Sequence, residues 1–367
     1  MRDSESLMRR QSEIGPGEMS TALVVDRSPP LPWANAYPLP KECAKRPYFI
    51  YGKRGGTTDK APSSQVYFLV GLRRRGLFVR LQSRSFQLHP ERKGEEKMCM
   101  TEKDIVLVGK DLPRLILLCG PCRTGTTALS NVFVRAGIEA HMQPIKSMRR
   151  AKSDGGEMVQ WTIANNPSGV IFSKETFGER DPAEFFDPVS DLLGVGYPAG
   201  KIEVILILRD PRQTLTSWKR MWNDVEVENL KKAFLLTEDI RQLCVSSGIH
   251  YSVMVHEAIR DNQPEMVAAR LFQRLRLVDS AGRFIDWRET PRFGDQDPGN
   301  QHLKFYDAPP EKFIDGVRNR GGYKYEDLPV PEQNVTECEA HPELFATYEL
   351  FRGLCEYHLD LTINPLT

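Results

Sequence analysis

The chain has no apolar run near the roughly 18 residues that a membrane-spanning helix requires. Its longest, such as 204–208, are strand-sized. It lacks the basic-then-apolar layout of a secretory leader. Cysteine is scarce and odd in number, seven in 367 residues, which excludes a disulfide scaffold. Such usage suits a reducing compartment, so a cytoplasmic location is expected. Neither sign of charge dominates: 50 Lys and Arg stand against 49 Asp and Glu, a formal net charge of +1. General nucleic-acid binding needs a basic field or stripe, so nucleic acid is not an expected partner. Cys119-x-x-Cys122 has no second cysteine pair or histidine cluster beside it, and no metal is expected. No internal repeat is visible. What remains is an ordinary globular composition, 40% hydrophobic and 27% charged, on a chain long enough for a sizeable core.

Residues 1–97 differ from the rest. They carry a proline cluster (Pro29, Pro30, Pro32), scattered arginines and no sustained periodicity. Only 66–72 reads as a strand there. Residues 1–100 are therefore expected to be a disordered extension, and 101–367 the folded domain. Two other readings stay open: a basic arm for a membrane or partner, and a native start at Met98 or Met100.

Beyond residue 101 strands alternate with helices. The unbroken apolar run 115–119 (LILLC) is expected to be a buried parallel strand, with 169–173 (GVIFS) a second strand and 201–208 (KIEVILIL) the strongest in the chain. Residues 251–255 read as a fourth. Helical spacing marks 126–136, 182–193, 211–223, 229–247, 264–277 and 343–358. The segments 142–161 and 289–311 read as loops. The pattern predicts an α/β fold, three-layer α/β/α, with a central parallel sheet.

Two motifs lie at strand ends. Gly120-Pro-Cys-Arg-Thr-Gly-Thr-Thr127 sits between a buried strand and a helix start, where backbone N–H groups and the helix dipole attract an anion. Gly120 and Gly125 permit the tight path. The spacing is that of a Walker A loop, yet Gly125 is followed by Thr126 and Thr127, and the lysine that a nucleoside triphosphatase needs is missing. Arg123 supplies a cation instead. The second motif is Arg209-Asp-Pro-Arg at the end of 201–208, with Ser217 eight residues after the arginine. A strand-end arginine points into the ligand crevice of an open α/β sheet, and an arginine and a hydroxyl converging on one anion suit a phosphate. Asp210 before Pro211 reads as a helix N-cap; a Walker B carboxylate would follow the apolar run directly, and Arg209 intervenes.

Together these motifs resemble the P-loop sulfotransferases that use 3′-phosphoadenosine 5′-phosphosulfate (PAPS). Their phosphosulfate loop reads Pro-Lys/Arg-Ser-Gly-Thr-Thr, and an Arg and a Ser at the spacing of Arg209 and Ser217 hold the 3′-phosphate. The resemblance spans about residues 115–358 and implies PAPS as co-substrate. The implied cofactor residues are Gly120, Arg123, Thr124, Gly125, Thr126, Thr127, Arg209 and Ser217. A weaker match covers 251–277, where His256-Glu257-Ala258 stands for a Tyr-Glu-Asp segment. The chain departs from the family in two places. Ala128 replaces the tryptophan that stacks on adenine in cytosolic members. The nearest counterpart of their Arg-Lys-Gly segment is Arg318-Asn-Arg-Gly321, making Arg318 or Arg320 a third candidate 3′-phosphate contact.

Sulfuryl transfer is an in-line displacement that needs positioned positive charge and a general base for the acceptor. The resemblance puts the base just after the 169–173 strand, often behind a lysine. Glu175 is the expected base and Lys174 the stabiliser of the transferring group, alongside Arg123; His141 is a second candidate base. A small-molecule or glycan acceptor is expected. The alternatives are a P-loop small-molecule kinase and a nucleotide-binding relative without turnover.

Overall fold

The computed structural model describes residues 48–52, 67–72, 77–82, 100–156, 159–166, 168–178, 182–222, 224–277, 303–306 and 322–366. The chain divides into two compact units, Met1–Glu96 and Lys97–Thr367. In the first, β1 (Tyr48–Gly52), β2 (Tyr67–Leu72) and β3 (Leu77–Gln82) pair antiparallel in that order. The apolar piece 66–72 corresponds to β2.

The second unit is built on a six-stranded sheet in the order β10-β9-β5-β8-β6-β11, with every pairing parallel. The strands are β5 (Arg114–Pro121), β6 (Glu139–Met142), β8 (Val170–Phe177), β9 (Ile202–Leu208), β10 (His250–Val255) and β11 (Leu303–Phe305). A separate parallel pair joins β4 (Ile105–Val108) to β7 (Trp161–Ala164). Every residue of β9, and all of β5 but Arg114, is buried. Strands covered on both faces have no solvent side, which is why they read as mostly apolar runs; Glu203, the charged residue within β9, is buried 3.4 Å from Arg114. The central β5 lies between β8 and β9, with β6 beyond β8 and β10 beyond β9. At such a switch point a crevice opens at the carboxyl ends of the strands.

The longer helices among the described residues are α1 (Thr126–Arg135), α2 (Pro144–Asp154), α3 (Pro188–Gly194), α4 (Pro211–Met221), α5 (Val227–Ser247), α6 (Pro264–Arg274), α7 (Glu332–Glu339) and α8 (Pro342–Leu359). Phe133 of α1 stacks on Phe172 of β8 at 4.3 Å and lies 4.9 Å from Phe272 of α6, so α1 and α6 share one face of the sheet. Alternation along β8 turns Glu175 to the other face. There it meets the amino end of α2.

Three sequence expectations are corrected. The 142–161 segment, read as a loop, holds α2, whose start is set by Pro144 and by a carboxylate 30 residues away. The 289–311 segment contains β11, a strand too short to show a period; its other described residue is Tyr306. The helix expected over 182–193 is a 3₁₀ turn, Pro182–Glu184, followed by α3. Asp187 restarts it by accepting from the Val189 and Ser190 amides at 2.9 and 3.1 Å.

Candidate functional site

The loop between β5 and α1 is shaped by two glycines. A Cβ on Gly120 would collide with the Ile207 carbonyl of β9, so its absence lets the two strands close up. Gly125 has φ +89°, and a Cβ there would run into the His256 imidazole. Arg123, with φ 69°, also takes the left-handed conformation, which side chains other than glycine adopt at a cost. Thr124 Oγ1 closes the turn by donating to the Pro121 carbonyl at 2.8 Å. The N-cap residue Gly125 has no side chain to cap α1, and the first-turn amides of a helix are donors suited to an anion.

The two sequence motifs meet. Arg123 Nε donates to Ser217 Oγ at 3.1 Å, across 94 positions of sequence. The contact follows from the sheet order: Cys119 of β5 is in register with Leu206 of β9, so the turns after the two strands are neighbours. Lys174 joins them from β8, its Nζ 2.9 Å from Thr127 Oγ1 in the first turn of α1. Its ammonium is buried, and desolvation lowers the pKa to about 7. A second lysine approaches from α2, Lys146, with Nζ 3.5 Å from Cys122 Sγ and 3.2 Å from Glu184 Oε2. Sequence reasoning missed it because it rides on an unrecognised helix.

Arg209 is 5% exposed. Its Nη2 donates to Gln213 Oε1 at 3.1 Å and to the Glu326 carbonyl at 2.5 Å. Its Nε has no hydrogen-bond partner among the described residues. A buried donor left unmet costs about 1–3 kcal/mol, which marks this N–H as a group suited to an anionic ligand. Asp210 caps α4, accepting from the Arg212 amide at 2.8 Å, and pairs with the Arg212 guanidinium at 3.0 Å. That is the capping role expected from sequence. Arg318 and Arg320 lie outside the described residues.

The two candidate bases do not join this cluster. Both oxygens of Glu175 accept backbone amides at the start of α2, Ile145 at 2.9 Å and Lys146 at 3.1 Å. The side chain is fully buried, and desolvation raises its pKa to about 8 against the pull of those amides. It leaves β8 on the face opposite Lys174. His141 lies in β6, with Nδ1 accepting from Trp161 Nε1 at 3.2 Å and standing 2.8 Å from the Tyr306 hydroxyl. Its Nε2 is 3.1 Å from Glu139 Oε1. Burial lowers the imidazole pKa, and the nearby His141 ring, with Lys304, holds the Glu139 carboxyl down to about 2. Since an indole N–H only donates, Nδ1 is the acceptor and Nε2 carries the proton.

A cleft of about 390 Å³ lined by Leu112, Arg114, Gly169 and Lys201 lies at the opposite, amino ends of the central strands. The cations gathered at the carboxyl ends, and not this cleft, form the candidate site. No family model matches the chain, and no curated protein does either.

Proposed function

We propose that the second unit is a P-loop sulfotransferase of three-layer α/β/α type. It binds PAPS at the β5–α1 loop and moves the sulfuryl group to a hydroxyl or amine of a small-molecule or glycan acceptor. The observation that carries this reading is the Arg123–Ser217 hydrogen bond at 3.1 Å, which joins two phosphate-type motifs into one site. Gly120, Thr124, Gly125, Thr126 and Thr127 shape and line the 5′ end, with Arg123 and Lys174 as its cations. Arg209 and Ser217 form the 3′ end. The acceptor's oxygen or nitrogen attacks sulfur in line, and the bond from sulfur to the bridging oxygen breaks. The acceptor's proton passes to solvent, and adenosine 3′,5′-bisphosphate departs with the electron pair of the broken bond. Charge builds on the leaving phosphate oxygen, where preorganised cations lower the barrier. A kinase reading has less support: Gly125 is followed by two threonines, and Asp210 is engaged by α4 and Arg212.

Calorimetry with adenosine 3′,5′-bisphosphate, AMP and ATP with Mg²⁺ tests the proposal. The bisphosphate should bind at least about tenfold tighter than either, the value of one charge-assisted phosphate contact. Tighter binding of ATP with Mg²⁺ would overturn it.

A further inference from the structure

Arg209 is held by a segment that no motif singled out. Its guanidinium carbon lies 5.3 Å over the ring of Tyr325, within cation–π range. The next residue, Glu326, gives its carbonyl to Arg209 Nη2. Gln213, one turn along α4, fastens the same segment. Its Oε1 accepts from both Arg209 Nη2 at 3.1 Å and the Leu328 amide at 2.9 Å. Its Nε2 donates to Asp327 Oδ1 at 2.6 Å and to the Leu328 carbonyl at 3.0 Å.

Tyr325 is itself anchored. Its hydroxyl donates to Glu257 Oε1 at 3.3 Å. That oxygen also accepts the Asp210 amide at 3.1 Å, from the turn that carries Arg209. The other oxygen of Glu257 accepts from the Tyr348 hydroxyl of α8 at 3.1 Å. The His256 ring, packed on Gly125 of the phosphate loop, lies 5.1 Å from the Tyr325 ring. One tyrosine therefore touches the arginine of the second motif and the histidine that backs the first.

We propose that residues 322–328 form a positioning strap for Arg209, with Tyr325 as its principal residue. The strap occupies Nη2 and the face of the guanidinium and leaves Nε–H without a partner among the described residues. It thereby sets the preference for a nucleotide bearing a 3′-phosphate. The inference rests on the reading of Arg209 as the 3′-phosphate contact. An arginine ordered before binding loses little further rotamer freedom when the phosphate arrives, which is how preorganisation raises affinity. Tyr325 acts through Arg209 and is a positioning residue.

The test is calorimetry of wild type, Y325A and Y325F with adenosine 3′,5′-bisphosphate and with AMP, beside a thermal melt of each. Y325A should bind the bisphosphate about tenfold more weakly and AMP within about twofold of wild type. Y325F keeps the ring under Arg209 and should restore the bisphosphate to within about threefold. If Y325A does not fold, Y325L, which retains bulk without a π face, carries the comparison. Equal losses for both nucleotides, or an undiminished preference in Y325A or Y325L, would overturn the strap while leaving the site reading intact. A wild type that shows no preference for the bisphosphate over AMP overturns the site reading and the strap with it.

Discussion

Two lysines, Lys146 and Lys174, enter the loop region from different elements, and burial lowers the pKa of the second to about 7. The direction gives the site a pH dependence. Above pH 7 the free protein has shed this proton, whereas an anion binds the ammonium form. Binding there must take up a proton, so affinity falls as pH rises. The affinity for adenosine 3′,5′-bisphosphate should drop from pH 7 to 9, approaching tenfold per unit once Lys174 is neutral. K174M should flatten the profile. Calorimetry in HEPES and in Tris, which differ in ionisation enthalpy, counts the protons taken up. A flat wild-type profile would show that Lys174 does not meet the nucleotide. At this scale the meeting of Arg123 and Ser217 was legible in sequence, because both stand in strand–turn–helix contexts on neighbouring strands. Tyr325 and Gln213 were not legible, because the partners that tie the segment down lie 68 to 115 positions away.

The elements divide the same way. Strands β5 and β9 were readable because burial on both faces favours the apolar runs Leu115–Cys119 and Val204–Leu208. Helix α2 was not. Its N-cap residue Gln143 is left-handed with no side-chain cap, and the capping carboxylate comes from Glu175 of β8. The same fact separates two roles for Glu175. Above pH 8, where Glu175 is ionised and both oxygens accept, glutamine keeps one acceptor oxygen and presents a donor to the second amide, so E175Q should lose about 1 kcal/mol of stability there. For a domain of this size that is roughly 2–4 °C in Tm. Nucleotide affinity should stay within about twofold. An E175Q protein with an unchanged Tm and turnover reduced 10²-fold or more, the scale of a lost general base, would instead support the proton-acceptor role expected from sequence.

The whole molecule places both motifs on adjoining strands of a single sheet within the unit Lys97–Thr367. That unit has its own core, to which Met100 belongs: its side chain is buried, and its amide donates to Asp191 Oδ1 at 3.2 Å. A protein comprising residues 97–367 should fold and bind adenosine 3′,5′-bisphosphate as the full chain does. Insolubility, or a much lower melting temperature, would show that the first unit contributes to the fold. The central claim is that the two motifs read one nucleotide from both ends. Its most direct measurement is the affinity of R209A for adenosine 3′,5′-bisphosphate and for AMP. A buried charge-assisted contact contributes about 1.5–3 kcal/mol. The bisphosphate should therefore weaken about ten- to a hundredfold in R209A, with AMP held within about twofold. Equal weakening of the two would contradict the assignment of Arg209 to the 3′-phosphate, and with it the account of the site.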